Sequence, residues 1–494
     1  GFLAAETVVP LGATRSFERD AAGNVTSLTD ADGVVTEAVY TRTGQPDTVT
    51  RPRLGGGEWT LAWYLYEDDG RPYMASTGGV TSAYSYDALR RLAWRCDGHE
   101  SSGCARQVNY AYDDDDRVTT ATVYPAGSST LATSYGYDAT GNLATLAHPG
   151  GSTESWTYYR SGRVAGHVDE EGVGSAWGYD DLGRLAWEDL PRQGARSWTY
   201  TQGVPSGTAG AYYTEVRRDE PDGGSWFTLH DHAGRAVYEE DPYGDSVARE
   251  FDGTHLVHQA WSSAAGTTLA HEARGYDAGG RLAYRLGPVD DATYTALGSA
   301  TPDPLAGDYA FAYAHSDAGR VLSRQGPGDR AEWNWVDGVV EWEEVSGLGT
   351  TTFTYESDTP RLAARATGDG SGASRETTYG YDVLGRLETA AVSDGSQSVL
   401  TSWLDRDAYG RPREVTRVVD GVLESSRVVT TDPRGRVSTL SLSTPTRSAG
   451  ATYQYYDDGA LYSVEVGWDG GTPQSLLYER TGTEMELATV RGGY

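Results

Sequence analysis

The sequence contains no lysine, and this absence removes several kinds of chemistry. All 40 basic residues among the 494 are arginines, and they stand against 71 acidic residues, so the net charge at pH 7 is -31. A chain without lysine has no Schiff-base amine and no phosphate-loop lysine, and it can offer only the planar fork of arginine to carboxylates. So acidic a surface repels phosphate backbones and anionic membranes, which argues against nucleic acid as a partner.

Phenylalanine and long apolar runs are also scarce. The chain has 6 Phe but 34 Tyr, and its mean hydropathy is -0.54. No signal peptide opens it and no apolar stretch is long enough to cross a bilayer, so we expect no membrane insertion by this segment. Tyrosine in place of phenylalanine predicts rings that pack while their hydroxyls reach water or a polar partner. We interpret this as a thin wall that is wetted on both faces.

Only two cysteines occur, and they flank seven residues rich in turn formers. A disulfide between Cys96 and Cys104 is the favoured interpretation, and it implies an oxidising, extracytoplasmic setting. Two free thiols in a reducing cytosol are the alternative. A metal site is disfavoured, because only His99 lies nearby and the spacing is not a zinc pattern. The nine histidines form no constellation, so we expect no catalytic residues, no cofactor and no metal.

A short repeat runs through almost the whole chain. Each clear copy has two aromatic residues separated by one position, then Asp, two variable residues and Gly, usually followed by Arg. Successive copies place their glycine position at residues 360, 385, 410, 435, 459 and 482, in steps of 25, 25, 25, 24 and 23. The predicted packing aromatics of the clearest copies are Tyr135, Tyr137, Trp177, Tyr179, Tyr379 and Tyr381. The predicted turn residues are Asp138, Gly141, Asp180, Gly183, Arg184, Asp382, Gly385, Arg386, Asp432 and Gly435.

Each part of the unit has a mechanical reason. Aromatic residues two apart lie on one face of a strand. The aspartate then ends the strand, because its carboxylate accepts main-chain N–H groups within the turn. Asp at the first and Gly at the fourth position is typical of a type I turn, and a positive φ at the glycine closes a short hairpin with a bulge. One repeat is therefore predicted to be strand, tight turn, strand and looser loop, without helical periodicity.

Stacked hairpins imply a long sheet. About twenty hairpins give roughly forty strands, and at about 4.8 Å per strand the strip is on the order of 190 Å long. Twist prevents such a strip from staying flat, and one closure gives a diameter of about 60 Å. We therefore predict an all-β fold of tandem β-hairpin repeats, which form a long, curved, spiralling antiparallel sheet. Residues 1–494 are expected to be one continuous array, degenerate at about 190–225, and a fragment of a longer chain.

These residues and their spacing resemble the YD repeats of the Rhs family, which includes bacterial Rhs toxins, Tc toxin C subunits and, more distantly, the animal teneurins. The resemblance implies a strip that forms part of a hollow, cocoon-like shell. In bacterial members such a shell encloses a C-terminal toxin. The family's aspartyl autoprotease core and toxin have no counterpart before Tyr494, so the resemblance carries over no enzymatic activity.

Three copies depart from the pattern at the glycine position. Arg90 and Asp116 occupy it in two copies, so these turns need another geometry or a left-handed residue, which is easier for Asp. Pro360 occupies it in a third copy and cannot adopt a positive φ, so that turn must differ.

Two functions follow from the resemblance. The first is a shell segment of a secreted bacterial protein, with an enclosed toxin or cargo and with capping or plug domains as partners. The second is an extracellular adhesion scaffold in the manner of the teneurins, which binds glycans or surface proteins, since rows of aromatic residues can stack on sugars. An enzyme within the repeats is the least favoured interpretation.

Overall fold

The computed structural model describes residues 3–8, 12–101, 103–125, 130–191, 193–205, 212–297, 310–368, 374–407, 410–432, 435–455, 461–469, 471, 473–481 and 484–491. Forty-one strands in these ranges form one sheet. Each strand pairs antiparallel with the next strand along the chain, from the first pair to the last. The predicted all-β architecture of tandem hairpins is confirmed.

The first twenty-five strands precede the one helix of the described ranges. They are β1 (Ala5–Val8), β2 (Ala13–Arg19), β3 (Val25–Thr29), β4 (Val35–Tyr40), β5 (Pro46–Pro52), β6 (Glu58–Tyr66), β7 (Pro72–Thr77), β8 (Val80–Tyr86), β9 (Leu92–Glu100), β10 (Gly103–Tyr112), β11 (Val118–Pro125), β12 (Leu131–Tyr137), β13 (Leu143–Ala147), β14 (Thr153–Tyr158), β15 (Val164–Val168), β16 (Gly174–Tyr179), β17 (Leu185–Leu190), β18 (Gly194–Pro205), β19 (Tyr212–Asp219), β20 (Ser225–His230), β21 (Ala236–Glu240), β22 (Ser246–Asp252), β23 (His255–Ser262), β24 (Thr268–Tyr276) and β25 (Leu282–Val289).

The helix and sixteen further strands complete the chain. They are α1 (Asp291–Leu297), β26 (Ala310–His315), β27 (Val321–Gly326), β28 (Asp329–Val336), β29 (Val339–Val345), β30 (Gly349–Tyr355), β31 (Leu362–Gly368), β32 (Ser374–Tyr381), β33 (Leu387–Ser393), β34 (Ser398–Arg406), β35 (Pro412–Val419), β36 (Val422–Thr431), β37 (Val437–Ser443), β38 (Ser448–Tyr455), β39 (Leu461–Trp468), β40 (Gln474–Thr481) and β41 (Glu484–Arg491).

The two edges of the strip carry different connections. In the described ranges, most connections from an even-numbered strand to the next odd-numbered strand are turns of the predicted repeat, including those at Asp138, Asp180, Asp382 and Asp432. All even-to-odd connections lie along one edge, which we call the turn rim. The connections from odd-numbered to even-numbered strands lie along the opposite edge, which we call the loop rim. Strands in an antiparallel meander alternate in direction, and this alternation alone sorts the two kinds of connection.

The sheet is a single layer without a continuous apolar core. Its accessible surface is 28182 Å², whereas a compact monomer of this mass exposes about 18,000 Å². Most strand residues are half-buried, and Trp59, Leu286 and Cys96 are the largest fully buried side chains among the described residues. This burial pattern agrees with the interpretation of the tyrosine-rich composition as a thin wall.

The helix α1 is a correction to the sequence analysis, which expected no helix. Asp290 caps it, because its carboxylate accepts a hydrogen bond of 2.7 Å from the Thr293 main-chain N–H. Tyr294 and Leu297 pack against an apolar cluster that Leu286 forms with Val289 and Ala310. Seven residues are too few for the hydrophobic periodicity of a helix to stand out in a sequence, so tertiary packing decides this element.

The strip passes over itself as a spiral. The β3–β4 loop meets the β26–β27 turn through Asp32 and Ser316, and the β5–β6 loop meets the β30–β31 turn through Arg53 and Ser357. These contacts lie 23 and 25 strands apart in the element order. Roughly 24 strands per turn give a diameter of about 37 Å between sheet midlines. The value of about 60 Å holds only if all forty or so strands close once, and it does not apply here, because the strip returns over itself after about 24 strands.

Candidate functional site

The repeat turn has one hydrogen-bond pattern, which the Asp180 turn illustrates. The Asp180 carboxylate accepts from the main-chain N–H of Leu182 at 3.0 Å and of Arg184 at 2.8 Å, and from Arg184 Nε at 2.7 Å. Gly183 donates to the Asp180 carbonyl at 2.8 Å and has a φ of 78°, which favours glycine. The arginine therefore belongs to the turn itself, as the ion-pair partner of the aspartate.

The other predicted turns repeat this geometry. Gly141, Gly385 and Gly435 have φ values of 89°, 72° and 78°. Their N–H groups donate to the carbonyls of Asp138, Asp382 and Asp432. The Nε atoms of Arg386 and Arg436 lie 2.7 Å from their aspartates, while Asn142 replaces the arginine beside Asp138.

Hydrogen bonding within these turns favours ionised carboxylates. The side chains of Thr140 and Asn142 lower the pKa of Asp138 to about 2. At Asp180, burial opposes ionisation, but the main-chain and guanidinium donors of Arg184 lower the pKa below its ordinary value. The Asp138 and Asp180 carboxylates are therefore ionised at neutral pH.

In eleven repeats of the described ranges, a tyrosine locks the repeat to the one before it. The Tyr200 hydroxyl donates to the Leu185 carbonyl at 2.9 Å, and the Arg184 guanidinium lies over the Tyr200 ring at 4.2 Å. The hydroxyl makes the same kind of bond, at 2.7–2.9 Å, from Tyr40, Tyr66, Tyr86, Tyr112, Tyr137, Tyr158, Tyr276, Tyr355, Tyr381 and Tyr455. The polar partner that the excess of tyrosine implied is thus the backbone of the preceding repeat.

The predicted packing aromatics lie where the repeat places them. Tyr135, Tyr137, Trp177, Tyr179, Tyr379 and Tyr381 are all half-buried within β12, β16 and β32. The Tyr179 ring packs edge-on against the Tyr159 ring of the preceding repeat, with 5.9 Å between the ring centroids.

Gly178, between the aromatic residues Trp177 and Tyr179, leaves room for the Trp187 side chain. A Cβ at Gly178 would lie 1.9 Å from Trp187 Nε1, so only glycine lets Trp187 cover the strand.

The three departures from the pattern resolve in two ways. Arg90 and Asp116 keep the turn and adopt left-handed φ values of 69° and 63°. The Pro360 turn differs as expected: Glu356 N–H donates to the Arg361 carbonyl, which makes the turn one residue longer. The predicted copies at Gly459 and Gly482, and part of the degenerate region, lie outside the described residues.

The turn rim of the second spiral turn docks on the loop rim of the first, and we call this contact the seam. Asp32 accepts from Ser316 Oγ at 2.6 Å and from the Ala318 N–H at 2.9 Å, and it also pairs with Arg320. Further along the seam, Trp59 is fully buried and donates to the Glu356 carbonyl at 2.9 Å. No sequence pattern marked these residues, because the contacts join positions almost 300 residues apart.

Cys96 and Cys104 form a disulfide with a Cα–Cα distance of 5.6 Å. They lie in the neighbouring strands β9 and β10, and most of the seven residues between them belong to these strands. Cys96 is fully buried, and Cys104 is half-buried. The hairpin reaches the seam, because a Cβ at Gly98 would lie 3.0 Å from Leu384 of the second turn.

The strand register gathers histidines that are scattered in the sequence. His258 Nε2 and His271 Nδ1 are 3.1 Å apart, and Tyr294 of α1 stacks on both rings. In a second group, Glu154 contacts His148 at 2.5 Å and His167 at 2.7 Å. In both groups the imidazole rings contact neighbouring side chains. Only the cross-strand pairing, which the sequence does not display, brings them together.

Comparisons with known proteins concern the repeat and the fold. The RHS Repeat family model matches residues 112–153, and no curated protein matches the chain in sequence. The chain is similar in structure to a TcdB2-TccC3-Cdc42 crystal structure, with 11% identity, a TM-score of 0.44, and coverage of 97% of this chain and 35% of that chain. It is also similar to a Photorhabdus luminescens Tc holotoxin pore with a TccC3 mutation, with 12% identity, a TM-score of 0.44, and coverage of 97% and 34%. The chain thus spans about a third of the length of these chains. Within the described ranges, no helix has the length and apolar character needed to cross a bilayer.

Proposed function

The chain carries RHS repeats, and we propose that they form part of the wall of a hollow shell that encloses a toxin or another polypeptide cargo. The observation that supports this proposal is a single-layer strip that returns over itself after 23 to 25 strands. A wall one sheet thick that closes on itself surrounds space and leaves the space unfilled. The cargo is a separate polypeptide segment that this chain does not contain.

The dimensions and charge define the cargo that fits. A midline diameter of about 37 Å, less about 10 Å for the side chains of both walls, leaves a lumen about 27 Å wide. Such a lumen suits an extended or partly folded polypeptide better than a large folded domain. A wall with a net charge of -31 attracts a basic cargo without offering it an apolar surface on which to stick.

The unpartnered parts of the wall require further protein. Among the described residues, β1 and β41 each pair with one strand, and unpaired strand edges promote aggregation unless they are covered. On the turn rim of the first spiral turn, Leu89 and Leu182 are 68% and 71% exposed. We propose that capping or plug domains, or further strip, cover these edges in the complete assembly.

The proposed setting is extracytoplasmic, and the proposed role is structural. The Cys96–Cys104 disulfide is stable in an oxidising compartment, as expected for a protein secreted by bacteria. The charged residues of the repeats hold turns and seams together, which supports a role without catalysis. We expect neither nucleic acid nor a membrane to bind this acidic wall.

Site-specific labelling tests whether the wall has an inside. Arg427 and Val428 are adjacent, exposed residues of β36, so their side chains project from opposite faces. Single Arg427→Cys and Val428→Cys variants should react at similar rates with N-ethylmaleimide. A maleimide on a polyethylene glycol chain of several kilodaltons should label one of them much more slowly, because one face lines the lumen.

The unmodified protein is the control, because its disulfide gives no reaction without a reductant. Equal rates of both variants with the bulky reagent would contradict a closed wall. Circular dichroism of each variant checks that the sheet is retained.

A surface scaffold that binds glycans or proteins is the second candidate. The observation in its favour is a set of exposed aromatic side chains, with Tyr243 83%, Trp468 48% and Trp187 43% exposed. Aromatic faces stack on sugar rings, and tyrosine and tryptophan are frequent in interfaces. Binding on a glycan array that is lost in a Tyr243→Ala variant supports this function, and an array without signal counts against its glycan-binding form.

A further inference from the structure

Three metal-ligating side chains converge at the disulfide. Among the described residues, the sulfur atoms of Cys96 and Cys104 and a ring nitrogen of His99 all lie within 4.8 Å of one another. The Cys96 Sγ to His99 Nδ1 distance is 3.6 Å. No other group of three such residues meets this condition in the described ranges. The His99 imidazole therefore lies beside the two sulfur atoms without being part of the disulfide.

The hairpin backbone produces this convergence. Cys104 pairs with His99 across the β9–β10 ladder, which puts their side chains on one face. Gly98 has a left-handed φ of 64°, and the resulting bend in β9 brings Cys96 towards the same point. A larger residue does not fit there, because a Cβ at Gly98 would lie 2.8 Å from the Ala105 Cβ.

The surroundings leave these three groups as the ligand set. Asp97 is held elsewhere, since its carboxylate accepts from Ser82 at 2.8 Å and from Arg95 at 2.6 Å. Cys96 is fully buried, which shields one side of the group. His99 and Cys104 are half-buried, so a small ion has access from the other side and a fourth ligand position faces solvent.

We propose that Cys96, His99 and Cys104 form a redox-gated site for a thiophilic divalent cation such as Zn²⁺. In the oxidised protein the sulfurs are bonded to each other and offer no thiolate. Reduction by a dithiol breaks the S–S bond: two electrons and two protons pass to the sulfurs, and the dithiol becomes a disulfide. The cation then displaces both thiol protons and takes two thiolates and the neutral His99 nitrogen as ligands.

The site gives the hairpin a second crosslink. Thiolates and imidazole are the ligands that zinc prefers, and tetrahedral sites with three protein ligands keep one position open. In a reducing compartment, where the disulfide is lost, the bound cation holds β9 to β10 in its place. The hairpin that carries this crosslink lies against the second spiral turn through Leu384, so the wall keeps its seam in both redox states.

The test uses Co²⁺ as a spectroscopic probe on the whole chain. The protein is reduced with a phosphine, which is then removed, and Co²⁺ is added without oxygen. We expect a thiolate-to-cobalt charge-transfer band in the reduced protein and no such band in the oxidised protein. His99→Ala should weaken Co²⁺ binding at least about tenfold, since even indirect ligand partners commonly contribute that much. His232→Ala, an exposed histidine at a turn, is the matched control and should leave the affinity unchanged.

Thiol alkylation and circular dichroism of the reduced protein complete the test. Zn²⁺ should slow alkylation of both cysteines by iodoacetamide in the reduced protein, as mass spectrometry reads out directly. The proposal is overturned by absence of the band, by equal affinity in His99→Ala, or by unprotected thiols. Loss of the β-sheet circular dichroism on reduction also overturns it, because the site requires the hairpin to survive without its disulfide.

Discussion

Two turns with nearly the same sequence lie in different surroundings. The Asp180 and Asp382 turns share the aromatic pair, the aspartate, a leucine, the glycine and the arginine, and their internal hydrogen bonds agree within about 0.1 Å. Yet Leu182 is 71% exposed on the first spiral turn, whereas Leu384 is half-buried against the β9–β10 hairpin. The comparison teaches that the repeat determines its own turn, while position along the spiral determines whether that turn is docked.

The largest expected difference between docked and exposed positions is at tryptophan. Trp59→Ala should lower the free energy of unfolding by about 3–5 kcal/mol, because it empties a fully buried position in the seam. Trp187→Ala should have a much smaller effect, since Trp187 is 43% exposed. Denaturant unfolding of both variants measures the difference. Equal losses would show that the seam adds no stability.

The seam carboxylate comes next in size. Asp32→Ala should cost about 2 kcal/mol, because it removes charge-assisted hydrogen bonds and leaves Arg320 with fewer partners. Asp181→Ala, at an exposed position of the turn rim, should change stability by less than about 0.5 kcal/mol. In the Asp32→Ala variant, main-chain hydrogen exchange should become faster at β26 and β27, where the second spiral turn docks, and in Asp181→Ala it should not.

The stability that Asp32 contributes to the seam also depends on pH. Burial opposes ionisation of Asp32, but hydrogen bonds from Ser316, Ala318 and Arg320 lower its pKa below the ordinary value. A carboxylate with a depressed folded-state pKa stabilises the fold above its unfolded pKa and loses that contribution as the pH falls through the folded one. The difference between the protein and Asp32→Ala should therefore shrink below about pH 4. A difference that persists at pH 2 would contradict this account.

The tyrosine lock should be equally strong in both regions. Tyr200→Phe and Tyr381→Phe each remove one hydroxyl bond to a carbonyl of the preceding repeat, at a cost of about 1 kcal/mol. Because the lock lies within the strip, docking should not change this value. Thermal unfolding of the two variants under the same conditions checks the equality. A clearly larger loss at Tyr381 would mean that the seam reinforces the lock.

The smallest expected effect is a gain in stability. Arg90 adopts a left-handed φ of 69°, which costs a non-glycine residue roughly 1 kcal/mol. Arg90→Gly should therefore stabilise the chain by about 0.5–1 kcal/mol. Asp116→Gly should gain less, because aspartate tolerates this conformation and Asp116 pairs with Arg91 at 2.7 Å, whereas the contact of Arg90 with Asp69 is longer, at 3.7 Å. A loss of stability in Arg90→Gly would show that its side chain has a contact worth more than the strain.

Local features of the fold were predictable because each repeat contains its own instructions. Asp180 and Gly183 specify the turn within five residues, and the turn formers between Cys96 and Cys104 favoured the disulfide that these residues form. The helix α1 was missed because seven residues leave no periodic signal. The His258–His271 contact was missed because it depends on the register of β23 against β24.

The sequence by itself determined the hairpins, the turns and the order in which the strands pair, since these depend on residues a few positions apart. Only the tertiary structure decided the number of strands per spiral turn, the seam at Asp32 and Trp59, and which leucines stay exposed. Curvature is the sum of small twists over some two dozen strands, and no short segment of sequence specifies that sum. Small changes in twist per strand would bring different residues together across the seam.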